Sequence, residues 1–187
     1  TTLFRSNECA ANICTLREMP TLYRVHDLPK EEKLKDFLSL VSALGHKVTG
    51  KIRHHVKPKV IQQLSLELKK FDDYSILSKF LLRSMAKAKY SPNAIGHFGL
   101  ALEDYLHFTS PIRRMPDQLA HRSIKNIIRG KDLSDRDLEI LESKMSIAGE
   151  HLSKIEIKAD GCEREVESMK KAEYMESHIG EKFEGTI

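Results

Sequence analysis

The stretch "HFTSPIRRMPDQLAHR", residues 107–122, gathers side chains that handle anions. Ser110-Pro111 reads as the cap and first position of a helix. Arg113 and Arg114 follow in its first turns, where the helix dipole already disfavours cations. A bound anion resolves that conflict. Free backbone N–H groups and the dipole favour a phosphate at a helix N-terminus. Guanidinium forks match phosphate oxygens bidentately, and the hydroxyls of Thr109 and Ser110 can donate to the same place. The repulsion within the helix, about 0.3–1 kcal/mol per exposed charge, is small beside such a cluster. The alternative is that both arginines point into water or pair with Asp104, Asp117 or Glu103. Pro116 allows a further variant, in which the helix restarts there with Asp117 in its first turn.

The elements around this stretch follow from periodicity and punctuation. A helix is expected over residues 3–17, then a short strand in "LYRVH" at 22–26. Pro29 opens a second helix, whose stripe is Leu34, Phe37, Leu38, Val41 and Leu44; Gly45 ends it as a left-handed cap. Residues 60–70 form a shorter helix. Asp72 or Asp73 caps the next, which runs to about residue 89 with Ile76, Phe80, Leu81 and Met85 inward. "SPNAIG" is loop chemistry, and "HFGLAL" is an apolar run of strand type. The helix from Ser110 ends near Gly130. Another follows from Ser134 or Asp135. "SKIE", residues 153–156, has the form of a capping box and starts a new helix reaching about residue 178. Ala159, Cys162, Val166, Met169 and Ala172 line one side of it. Gly161 costs that helix about 1 kcal/mol relative to Ala, which suggests close packing against another backbone. "GEKFEGTI" begins an alternating pattern and reads as the first strand of a further domain, since a lone strand is unstable.

The chain has 187 residues, 40% hydrophobic and 31% charged, a profile of a soluble globular chain. No apolar run approaches the roughly 20 residues of a membrane span, and no secretory leader is visible. Thr1 is not a natural translation start, so upstream sequence is expected to be missing. Net charge is +4 and the isoelectric point about 8.9, a tilt toward polyanionic partners. Residues 46–59 hold Lys47, Lys51, Arg53, Lys57 and Lys59 with His46, His54 and His55 and no acid, either a phosphate-facing loop or a solvated basic surface. Cys9, Cys14 and Cys162 are odd in number and lack C-x-x-C spacing, which disfavours a zinc site or a disulfide framework and fits a reducing compartment. Cys9 and Cys14 read as small apolar fillers on a helix.

"GHFGLALEDYLHFTSPIRRMPDQLAHR" resembles the signature near the end of the catalytic domain of the RNase II/RNase R (RNB) family of exoribonucleases. "LYRVHDLP", "LLRSMAKAKYS" and "GCEREVESMKKAEYMESHIGEKFEGTI" resemble, in order and spacing, an upstream strand-then-helix segment, the helix before "HFGLAL", and the final long helix with its exit into an RNA-binding OB-type barrel. The resemblance implies a predominantly helical α+β fold with a few short strands. Residues 1–179 would be the C-terminal part of the catalytic domain and residues 180–187 the start of the barrel. It implies processive 3′-to-5′ hydrolysis of single-stranded RNA to nucleoside monophosphates. Arg113 matches the arginine that holds substrate phosphate near the scissile bond, so it is the catalytic candidate; Arg114 matches a basic position nearby. Glu163 resembles an acidic residue facing the terminal nucleotides, or else it is an ordinary surface residue facing Glu167 or Ala159. Met115 stands where the family usually shows an aromatic ring, and Gln118 is likewise unusual.

The family's chemistry rests on aspartates that bind Mg²⁺, and these lie upstream of the region matched here. Asp72-Asp73 is better explained by capping, and His97, His107 and His121 by structural hydrogen bonds or RNA contact. No P-loop or G-x-G-x-x-G appears. The segment alone is therefore expected to be inactive, to supply part of the RNA-channel wall, to need the remainder of its polypeptide and, with apolar surface exposed, to self-associate. A cytoplasmic, non-membrane protein is expected. The competing readings are a non-catalytic RNA-binding relative or scaffold, and a helical binder of duplex DNA.

Overall fold

The computed structural model describes residues 2–48, 56–131 and 133–184. Six α-helices and a two-stranded antiparallel sheet run in the order α1 (Thr2–Leu16), β1 (Tyr23–Val25), α2 (Glu31–Ala43), α3 (Pro58–Leu68), α4 (Tyr74–Ser84), β2 (Lys89–Ser91), α5 (Met115–Ile128) and α6 (Asp135–Glu176). Tyr23 pairs with Ser91, Arg24 with Tyr90 and Val25 with Lys89. The fold is thus mostly helical around a small sheet, as expected.

Three apolar clusters hold these elements. Ala10, Ala11 and Cys14 of α1 pack with Tyr23, Val25, Leu106 and Ala120 of α5. Of the expected stripe of α2, Leu34, Phe37 and Val41 are buried against Leu64, Leu68, Leu77 and Leu81 of α3 and α4, with Leu38 partly buried, whereas Leu44, past the end of the helix, is exposed. Leu22 and Tyr90 meet Met145, which seats α6 on the sheet. Cys14 is a buried filler, whereas Cys9 lies exposed; burial pushes the Cys14 thiol up to about 11. Gly45, at φ +84°, adopts the left-handed conformation expected after α2.

Several expectations are corrected. "HFGLAL" is a 3-10 turn at Phe98–Leu100, flanked by isolated bridges from His97 to His26 and to Leu102. The helix of α4 stops at Ser84, and residues 89–91 become a strand. Asp73 occupies the α4 cap position, its carbonyl accepting from Ile76 and Leu77, but its side chain makes no cap bond to the helix. Its carboxylate takes His46 Nε2 at 2.9 Å instead. The helix expected from Ser110 begins only at Met115, after a turn.

The largest correction concerns the C-terminal third. Residues 135–176 are one continuous helix of 42 residues, about 63 Å long at 1.5 Å per residue. Its true start is capped by Ser134 and Asp137 in a reciprocal box. Ser153 starts nothing: its hydroxyl donates to the Gly149 carbonyl at 2.7 Å and accepts the Tyr90 N–H at 2.9 Å. Gly149 is also the close-approach glycine. A Cβ there would meet the Tyr90 carbonyl oxygen at 3.1 Å and Leu22 Cδ2 at 3.2 Å, whereas one on Gly161 would meet nothing within 4 Å. Val166 and Met169 are exposed. Residues 180–184 form no strand, and 185–187 lie outside the described residues, as does most of the basic stretch, residues 49–55.

Candidate functional site: an arginine turn clamped to a helix

The chain enters the site from the core. Asn7, buried on α1, donates to the Tyr105 hydroxyl and accepts the Phe108 N–H, both at 3.0 Å. Phe108 stacks on His121 of α5 with centroids 4.1 Å apart, and His121 Nε2 bonds the Phe108 carbonyl at 2.8 Å. Tyr90 and His107 share a hydrogen bond of 3.0 Å between the phenol and Nδ1. Residues 105–108 are thereby fixed before the turn begins.

Residues 110–114 then fold into a tight turn. The Ser110 carbonyl accepts the N–H groups of Arg113 and Arg114 at 3.3 and 3.2 Å. Asp117, fully buried in the first turn of α5, accepts the Ser110 N–H at 2.7 Å and Arg114 Nη2 at 2.8 Å on the same oxygen, Oδ1. Its position suits the positive end of the helix dipole. One residue on, Gln118 Nε2 donates to the Pro111 carbonyl at 2.8 Å.

The two arginines are therefore unlike. Arg114 is the α5 cap position, its side chain 21% exposed and committed to Asp117. The open alternative of pairing with Asp117 holds for Arg114. Arg113 is exposed and makes no hydrogen bond or ion pair with any described residue. The hydroxyls of Thr109 and Ser110 are half-buried and likewise bond no described residue. Within residues 109–114, just before a 14-residue helix, the guanidinium of Arg113 and the hydroxyls of Thr109 and Ser110 have no partner among the described residues, a donor set suited to a phosphodiester.

Glu163 sits exposed on α6 with no bond to the turn. Seven residues earlier on the same face, Glu156 accepts Arg24 Nη1 at 2.6 Å, and the Arg24 guanidinium also lies 4.6 Å over the Tyr90 ring. That latch sets the rotation of α6, and Glu163 follows about 10 Å further along. The sequence reading missed Asn7, the Arg24–Glu156 latch and the tether from Gln118, whereas the structural hydrogen bond of His121 was among its expectations. Only the spacing of Asp117, Gln118 and His121, which puts three polar side chains on the near face of one helix, carried a signal for them.

The histidines serve the scaffold. His26 Nδ1 accepts the Gly99 N–H at 2.8 Å while Nε2 bonds the Ala86 carbonyl at 2.6 Å. His97 Nδ1 accepts the Leu100 N–H. Burial, with His26 and Arg24 adding, holds His97 down at about 4. Burial again, followed by Arg114 and Arg24, puts His107 at about 4. Among the described residues no three His, Cys, Asp or Glu side chains converge as a metal site, and Asp117 is committed to Arg114. The residues described here thus do not fit a resident Mg²⁺. No helix among them is long and apolar enough to cross a membrane.

The RNB domain model matches residues 3–130. Ribonuclease R 1 of Lactococcus lactis is 43% identical over 185 residues, 99% of this chain and 22% of that protein. Ribonuclease R of Aquifex aeolicus is 43% identical over 186 residues, 99% of this chain and 26% of its own. The chain thus spans about a quarter of the length of these relatives. Among solved structures, Mycoplasma genitalium RNase R in complex with double-stranded RNA superposes with a TM-score of 0.92 at 29% identity, over 100% of this chain and 33% of that one. The same enzyme in complex with ribose-methylated single-stranded RNA gives 0.88 at 28% identity, over 96% and 28%. By a domain match over more than half of its residues, and by full-length similarity to ribonucleases R in sequence and in fold, this chain belongs to the RNB-domain family.

Proposed function

We propose that this chain is the phosphate-holding part of a hydrolytic exoribonuclease that degrades single-stranded RNA processively from its 3′ end to nucleoside monophosphates. The observation that carries the reading is the contrast within one turn: Arg114 is spent on Asp117, and Arg113 is unpaired among the described residues. Arg113 binds the phosphate at the scissile bond and orients it. Thr109 and Ser110 donate to its oxygens, and Arg114 adds its charge nearby. Glu163, projecting from α6, faces the terminal nucleotides. Charge-assisted bonds from a fixed guanidinium stabilise charge that builds on the phosphate during hydrolysis. Mg²⁺ supplies the activated water when bound, and carboxylates outside the described residues hold it. The remaining polypeptide, including an OB-type barrel after residue 180, completes the RNA channel, and the protein works in the cytoplasm.

The test uses full-length protein with Mg²⁺ and end-labelled single-stranded RNA. Release of mononucleotides from the 3′ end, with the 5′ label retained in long products until late, supports the reading. RNA binding without hydrolysis replaces it with the non-catalytic relative. Hydrolysis by the 187-residue chain alone would mean that it carries its own metal ligands.

A further inference from the structure

We propose that Asp117, seconded by Gln118, is the positioning residue for Arg113: it clamps the turn on both sides of that arginine and aims a side chain it never touches. The inference rests on Arg113 being the phosphate ligand.

Arg113 has no partner among the described residues, and an unpaired arginine samples many rotamers. What fixes its direction is the backbone that carries it. Asp117 holds that backbone at two points with one oxygen: the N–H of Ser110, three residues before Arg113, and the guanidinium of Arg114, immediately after it. Gln118 fastens the Pro111 carbonyl between them. Both clamping side chains stand on the first turn of α5, whose Ala120 and Ser123 are buried, with the Ser123 hydroxyl donating to the Pro20 carbonyl at 2.8 Å. The turn is thus tied to a rigid helix rather than floating as a surface loop.

The choice of groups favours positioning over simple stability. A carboxylate kept fully buried, with its Oδ2 and the Arg114 Nε both unpartnered among the described residues, is a costly arrangement. Apolar side chains would hold a turn at less cost, but they would not fix its orientation through directed bonds. Met115 and Gln118 stand at positions where the family resemblance is imperfect, and Gln118 proves to be part of the clamp.

The experiment is a double-mutant cycle in the full-length protein, read by single-turnover cleavage of single-stranded RNA. Asp117→Asn keeps the acceptor for Ser110 and removes the charge that holds Arg114. A misaimed ligand costs about 10- to 100-fold in rate, so we expect Asp117→Asn to lower the cleavage rate by that factor with KM little changed. Combined with Arg113→Ala it adds nothing beyond the loss from Arg113→Ala alone, because its effect passes through Arg113. Losses that multiply in the double mutant, or an Asp117→Asn enzyme as fast as wild type, overturn the proposal while leaving Arg113 as the ligand. A neutral Arg113→Ala instead removes the reading on which it rests, and the proposal with it. Should Asp117→Asn fail to fold, Gln118→Leu decides: a several-fold rate loss absent in the Arg113→Ala background supports the clamp, and wild-type rate or a multiplied loss refutes it.

Discussion

Two glycines of the same helix predict opposite responses to the same substitution. Replacing a helical glycine by alanine gains about 1 kcal/mol from propensity alone. At Gly161 nothing lies within 4 Å of the new methyl, so Gly161→Ala keeps the whole gain. At Gly149 the methyl lands 3.1 Å from the Tyr90 carbonyl oxygen and 3.2 Å from Leu22 Cδ2. Tyr90 is held in the β1–β2 ladder opposite Arg24 and by the Ser153 hydroxyl, so the backbone oxygen has little room to retreat. Overpacking of this kind costs about 1–3 kcal/mol, which leaves Gly149→Ala between neutral and about 2 kcal/mol less stable. The variants should differ by about 2 kcal/mol, or about 4–8 °C in melting temperature for a chain of this size. Circular dichroism melts of the 187-residue chain measure it. Equal stabilisation by both substitutions would refute the seating of α6 on β2 through Gly149.

Acid should destabilise the fold in a definite window. His97 and His107 are held at about 4 in the folded chain, against an ordinary histidine value of about 6.5. The unfolded chain therefore binds more protons between those values, and stability present above about 6.5 is lost as pH falls toward 4. Melting temperature against pH should show this decline, and His107→Gln should make it shallower. Removing the hydroxyl that caps α6, by Ser134→Ala, should cost about 1 kcal/mol in urea unfolding. An unchanged midpoint would argue against the reciprocal bonding of Ser134 and Asp137.

What the sequence revealed depended on how local each cause was. The stripe of α2 and the left-handed Gly45 after it were readable because a helix and its cap are set by neighbours in the chain. The strand in "LYRVH" was readable for the same reason. Ser153 and Glu156 misled because their spacing copies a capping box, while their partners, Tyr90 and Arg24, lie 63 and 132 residues away. "HFGLAL" was read as a strand, but His26 and the left-handed Ala101 curl it into a 3-10 turn. At the site, the sequence showed two arginines before a helix and left open whether they bind an anion, point into water or pair with a nearby carboxylate. Which of them was free depended on the rotation that points Asp117 inward, a property of packing that no local pattern records.

On the proposed reading, adjacent arginines divide the labour, Arg113 for the substrate phosphate and Arg114 for the turn. Parallel measurement of turnover and melting temperature for Arg113→Ala and Arg114→Ala in the full-length enzyme tests it most directly. Arg113→Ala should lose about 10²–10³ in turnover with a stability change within about 0.5 kcal/mol, as for an exposed side chain. Arg114→Ala strands the buried Asp117 carboxylate and should cost about 3–5 kcal/mol of stability. An Arg113→Ala enzyme with near-normal turnover, or an Arg114→Ala enzyme as stable as wild type, would overturn this division between the two arginines.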